Sequence, residues 1–251
     1  MAKQKSIIKL EGTIGGITFV KTKDGYLAKE KNYVSGQRIK SDPTFQRTRE
    51  NNSEFGRAAA AATVLRKAFR NQMQLAKDSR VISRLLKEMM KVIHADATST
   101  RGMRNVVDGE AELLQDFQFN QDAVLGSTFF THYTTSIDRA TGNTVVNIPA
   151  FVPANEVVGP DGITHFKFVA AASEINFESG EFNTVKADTG IMPWNATEVP
   201  ASQLTNVLPA QSTHPLFLVF GIQFFQVVNG KEYPLKNGTF NPLSIVNVSG
   251  L

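Results

Sequence analysis

The chain has 251 residues, 41% of them hydrophobic and 20% charged, with no cysteine. That apolar content is too high for a disordered chain, and a cysteine-free sequence excludes disulfides, thiolate metal centres, iron–sulfur clusters and cysteine nucleophiles. The net charge of +4 conceals a split: residues 1–110 hold 22 Lys/Arg against 11 Asp/Glu, whereas residues 111–251 hold 5 against 12.

The opening MAKQKSIIKLEG is basic and then apolar only at Ile7, Ile8 and Leu10, too short for a signal-peptide core. No apolar run approaches the roughly 18 residues of a membrane span, so the expectation is a soluble, cytoplasmic product. From Ser6 to Lys31 the residues alternate with the period of strands, punctuated by Gly15-Gly16 and by Asp24-Gly25. An Asp-Gly pair between alternating runs suits a type I′ turn, which needs positive φ at both central residues. A three-stranded meander is expected, with Ile17, Phe19 and Tyr26 toward an apolar neighbour and Lys21, Lys23, Lys29 and Lys31 in water. So small a sheet cannot hide its own faces and should pack on helices or on another subunit.

After the polar stretch from Asn32 to Lys40, Ser41-Asp42-Pro43 is a helix start, because proline lacks the N–H that a first turn leaves unpaired. Phe55, Ala59, Ala62, Leu65 or Arg66, Phe69, Met73 and Ala76 recur at steps of three or four, predicting one long helix from about Pro43 to Ala76. The alanines at 58–62, with Ala58, Ala59 and Ala62 as its centre, offer a smooth helix-packing patch. Asp78 or Ser79 caps a second helix whose stripe runs from Val81 to Ile93, and a third helical piece, broken or capped near Gly109, is expected from Met103 to Phe117. Beyond Phe117 short β-rich runs alternate with turn residues, among them AVLGSTFF, HYTTSID, NTVVNIPAF and HPLFLVFGIQFFQVV. That spacing predicts an antiparallel β-sandwich, Ig-like or jelly-roll-like, with Phe168, Phe177, Phe217, Phe220, Phe224 and Trp194 in one core. Asn229-Gly230 is the strongest hairpin turn in that half. The fold class is thus α+β: a β-meander plus helical module over residues 1–118 and a sandwich domain over 119–251.

Catalytic and metal signatures fail in turn. The histidines, His94, His132, His165 and His214, stand more than 30 residues apart and none has a histidine at ligand spacing. No GxSxG elbow is present. The glycines of GTIGG lie between strands rather than before a helix, where a phosphate loop would need them. DRATGN lacks the EF-hand pattern, and pairs such as Glu110 with Glu112 or Glu178 with Glu181 read as solvated loops. No catalytic residue, metal, cofactor or small-molecule substrate is therefore expected.

What remains is charge. Arg47, Arg57, Arg66, Lys67, Arg70, Arg80, Arg84, Lys87 and Lys91 fall on or beside the first two long helices, where basic side chains on one face would serve as an assembly or polyanion-binding face.

The motifs GTIGGITFVKTKDGYLAKEK and DPTFQRTRENNSEFGRA resemble a family of uncharacterised Bacteroidota proteins. These share a glycine-punctuated N-terminal hairpin, a DP- or NP-started helix with a TRENxxEFGRA-like run, and a more variable β-rich C-terminal half. The likeness covers roughly residues 5 to 115. It implies a bacterial or phage-like cytoplasmic product and carries no activity with it.

The expectation drawn from all of this is a non-catalytic, self-assembling structural subunit, forming a filament, tube or virion-like particle. Its partners would be copies of itself, joined head to tail between basic and acidic halves, with no membrane. The alternative is a nonspecific nucleic-acid-binding protein that uses the basic helices.

Overall fold

The computed structural model describes residues 1–5, 7–31 and 34–250 and divides into two compact units, Met1–Arg49 and Glu50–Leu251. The fold is mixed α+β with a sandwich-like arrangement of sheets, as the sequence predicts.

In the first unit, β1 (Ala2–Lys3), β2 (Gly12–Ile14), β3 (Ile17–Thr22) and β4 (Gly25–Glu30) form an antiparallel sheet in the order β1-β4-β3-β2. The sheet has four strands rather than three. Ser6 lies outside the described residues; Ile7 to Leu10, expected as a strand, form none, because the Gln4 side chain takes the backbone of that loop. It accepts from Leu10 N at 3.0 Å and donates to the carbonyls of Leu10 and Leu27. The β3–β4 turn is also shifted. Thr22 pairs with Gly25, so Lys23 and Asp24 are its central residues; neither has positive φ, and Gly25 alone takes the left-handed conformation, at 113°. A short helix α1 (Gly36–Ser41), which the polar composition hides, is capped by Ser35 Oγ on Arg38 N at 3.2 Å. It stops at Asp42 because the residue before a proline disfavours helical backbone, and Asp42 then caps the turn Pro43–Phe45.

The division between the units falls within α2 (Gln46–Ala68), which is followed by α3 (Arg70–Met73) and α4 (Val81–His94). The expected continuous helix to Ala76 breaks at Phe69, whose φ of −103° and ψ of 21° leave the helical region. Its apolar stripe is rotated by about one position. Ala58, Ala61, Ala62, Leu65 and Ala68 are buried, whereas Phe55 is exposed. Alanines on several faces of α2 leave its phase ambiguous in sequence, and contacts with the sheet decide it. The third expected helix is absent: residues 101–110 are turns and only a 3-10 turn, Ala111–Leu114, follows. Side chains there capture the backbone that a helix would need. Asp96 accepts from the N–H groups of Thr98, Ser99 and Asn105, and Asn105 Oδ1 accepts from those of Val107 and Asp108.

Of the β-rich runs, AVLGSTFF instead forms a helical turn, α5 (Leu125–Thr128). β5 (Thr134–Asp138) and β6 (Asn143–Ile148) form a hairpin, and after α6 (Pro153–Glu156) come β7 (His165–Ile175), β8 (Phe182–Asp188), β9 (Met192–Pro193) and β10 (Ser202–Val207). β11 (Leu216–Val228), β12 (Lys231–Pro234) and β13 (Leu243–Ser249) complete the chain. Asn229 and Gly230 both have positive φ, at 52° and 73°, which a type I′ turn requires. The pairing is antiparallel throughout. One sheet has six strands, with β11 flanked by β7 on one side and by β12 and β13 on the other; a smaller sheet runs β10-β6-β5.

The large sheet has a core on each face, not the single core expected. Because strand side chains alternate, Ala171, Ile175, Phe217 and Val219 project to one side, where they share a core with Leu65, Phe69, Leu85 and Met89 of the helical region. Phe166, Phe168, Leu218, Phe220 and Phe224 project to the other and pack with Val146, Ile148 and Leu204 of the small sheet. Trp194 packs on this second core and Phe177 on the first. Each Val, Leu, Ile, Met or Phe side chain so withdrawn from water contributes about 1.5–3 kcal/mol. This layering corrects the expected junction at 118/119, which falls inside the second unit: α2 and α4 cannot be separated from β7 and β11 without opening a common core.

The split in charge consequently follows a different line. Residues 1–49 carry 11 Lys/Arg against 4 Asp/Glu, and residues 50–251 carry 16 against 19.

Candidate functional site

The nine basic residues expected to form one face do not act alike. Arg47 is exposed in the first unit, while the others belong to the second. Arg57, on the inner half of α2, donates through Nη1 to the carbonyls of Gly102 at 2.6 Å and Arg104 at 3.1 Å, fastening the loop that follows α4. Arg84 lies across the ring of Phe117 at 5.2 Å and donates to Asp78 and to the carbonyls of Gln118 and Phe119. Lys91 pairs with Glu88 at 2.5 Å, one turn earlier on α4. These three cations are spent within the fold. Arg80 and Lys87 are exposed on and beside the first turns of α4.

Arg66, Lys67 and Arg70 are the three that the structure brings together. They line a hollow of about 450 Å³ at the end of α2, with Thr63 and Gln74 as polar neighbours and Met73, Val81 and Ile82 as an apolar wall. The grouping spans the break at Phe69, with Arg66 and Lys67 on α2 and Arg70 on α3. Arg66 Nη2 donates to Thr63 Oγ1 at 3.0 Å, and Thr63 in turn donates to the Ala59 carbonyl at 2.8 Å, so the guanidinium is held in place. Its Nε is buried without a hydrogen-bond partner. Among the described residues, no carboxylate lines this hollow or pairs with any of the three cations.

The expected alanine patch faces the interior. Ala58 and Ala62 belong to the core shared with β7 and β11, and Ala59 is half-buried beside them. It is a packing surface within the chain, not one left open for a partner.

Two further clusters carry chemistry that the sequence did not single out. Glu54, 1% exposed on α2, accepts from Gly102 N at 2.7 Å, and its other oxygen lies 3.5 Å from His94 Nε2. The hollow beside this pair measures about 590 Å³ and includes Phe55, Arg101 and Arg104. The spacing of Glu54 among buried alanines, four before Ala58, was the available signal. It reads as solvated only if the stripe is given the wrong phase.

The second is acidic. Asp122 and Asp161 line a hollow of about 350 Å³ between α5 and the loop before β7, together with Ser127, Thr128, Val158 and Phe240. Both carboxylates are exposed, and among the described residues neither has a cationic partner and no Lys or Arg lines the hollow. No sequence motif links residues 39 positions apart; the topology alone brings them together. Among the described residues there is no group of three or more metal-ligating side chains, and no helix is long and apolar enough to cross a membrane.

No protein-family model matches this chain, and no curated protein or solved structure is significantly similar to it.

Proposed function

We propose that the protein is a non-catalytic structural subunit that associates with copies of itself into a filament, tube or virion-like particle. One observation carries this reading. In Met1–Arg49 no described residue is buried, although the unit holds a four-stranded sheet, and Ile7, Ile8, Leu10, Ile14 and Ile17 are exposed. A few strands without a covered apolar face are not stable in water, and exposed apolar surface of this kind is what another protein covers. Among the described residues β2 is an edge strand, which supports the same reading, because a strand edge offers a row of backbone donors and acceptors. The excess of Lys and Arg in this unit favours an acidic partner, and Glu50–Leu251 of another copy, with 16 Lys/Arg against 19 Asp/Glu, carries net negative charge.

Negative-stain microscopy and sedimentation of the pure protein at low and high salt test it. Particles or fibres that loosen at high salt support the reading, and a monodisperse monomer across concentration and salt overturns it.

A second reading, nonspecific nucleic-acid binding, draws on the unpaired cluster of Arg66, Lys67 and Arg70. Such binding would follow the phosphate backbone and weaken steeply with salt. A gel shift at two salt concentrations tests it, and no shift at either removes it.

A further inference from the structure

We infer that the basic hollow of Arg66, Lys67 and Arg70 on one copy docks against the acidic hollow of Asp122 and Asp161 on another. The inference rests on the self-association proposed above and adds to it a contact within Glu50–Leu251.

The two hollows are chemical complements on a single unit. One holds three cations and, among the described residues, no acid; the other holds two acids and no base. Cations and carboxylates that the fold needs are paired internally, as Arg84 is with Asp78 and Lys91 with Glu88. Among the described residues, the five in these hollows have no ion-pair partner. Lys67 and Arg70 are exposed on long stems that carry their charge outward, and the acidic hollow is large enough to receive a guanidinium or ammonium group.

Exposed ion pairs alone hold proteins together weakly, so an interface needs apolar contact as well. Each hollow has it in its lining: Ile82 with the cations, Val158 and Phe240 with the acids, all exposed. Charge complementarity then sets which surfaces meet, and the apolar rims supply contact that excludes water. A polyanion would fill the basic hollow but would leave the acidic one without a role. A second copy uses both.

Charge reversal tests the pairing on the full chain. K67E/R70E and D122K/D161K change exposed side chains, and a circular-dichroism melt checks that each variant folds; K67Q/R70Q and D122N/D161N replace any variant that does not. Sedimentation at low salt should show association weakened about tenfold or more in each reversed variant. Mixing the two reversed variants in equal amounts should restore it, because each then presents the charge the other lacks. Reversed variants that associate as the wild type does would overturn this pairing while leaving self-association in place. So would loss in K67E/R70E alone, accompanied by loss of a gel shift with a single-stranded 20-mer, which would assign the basic hollow to nucleic acid. A wild type that stays monomeric would fail the underlying reading instead.

Discussion

Arg84 Nη2 lies 2.5 Å from Asp78 Oδ2, and the same guanidinium reaches the carbonyl of Gln118 at 2.8 Å. Asp78 also accepts from the N–H groups of Arg80, at the start of α4, and Gln121. Two charged residues thus tie a helix start to the segment that enters the β-rich part of the chain. Arg84→Ala should cost about 2 kcal/mol, since several hydrogen bonds to a charged group are lost together. Arg84→Lys should recover only part of that, because an ammonium cannot span three acceptors in one plane. Urea unfolding measures both, and an Arg84→Ala variant as stable as the wild type would refute the assignment.

Asp96 makes stability depend on pH. Burial pushes its carboxyl up, but the N–H groups of Ser99, Asn105 and Thr98 outweigh burial and hold it well below the usual carboxylate range. A carboxyl lowered on folding contributes stability above its unfolded value of about 4 and loses it as pH falls toward the folded value. Asp96→Asn should therefore be less stable than wild type by roughly 2 kcal/mol at neutral pH. The gap should narrow steadily below about pH 4. Thermal melts of the two proteins from pH 7 to pH 2.5 check the sign; a constant gap would contradict it.

Two glycines should respond in opposite directions to the same substitution. A Cβ at Gly221 in β11 would lie 2.4 Å from the Pro242 carbonyl oxygen, so Gly221→Ala must push β11 from β13 and should cost about 1–3 kcal/mol. Gly56 is exposed within α2 and meets nothing within 4 Å. Gly56→Ala should stabilise by about 0.5–1 kcal/mol by lowering the entropy of the unfolded chain. Chemical denaturation of the pair settles both signs.

Arg139, in the β5–β6 turn, donates to the carbonyls of Ser212, His214, Ser249 and Gly250. Arg139→Ala should release the end of β13 first. Faster amide exchange at Val248 and Ser249, with the centre of β11 still protected, is the expected pattern; uniform exchange across the sheet would count against it.

Much of the architecture was legible because it rests on local chemistry. The stripe from Val81 to Ile93, the Asn229-Gly230 turn and the alternation of β11 each state their structure within a short window. The misreadings come from contacts outside the helical period, some distant and some local. The phase of α2 is chosen by the sheet beneath it, and the 101–110 segment is shaped by Asp96 rather than by its own helical period. Of the nine expected basic residues, sequence could not separate Arg57 and Arg84, consumed by distant carbonyls, from Arg66, Lys67 and Arg70, which stay unpaired by carboxylates. Asp122 and Asp161 were invisible for the complementary reason: they meet only after folding.

The burial of β11 on both faces also sets an order of events during synthesis. β7, with Phe166 and Phe168, and the apolar stripes of α2 and α4 leave the ribosome before β11, against which all of them are finally covered. At roughly 5–20 residues per second, the stretch from Ile175 to Leu216 keeps these surfaces waiting for several seconds. A nascent chain paused before Leu216 presents a sticky, Phe-rich half-sheet. Chaperone capture is therefore expected to peak in that interval and to fall once Val228 has emerged.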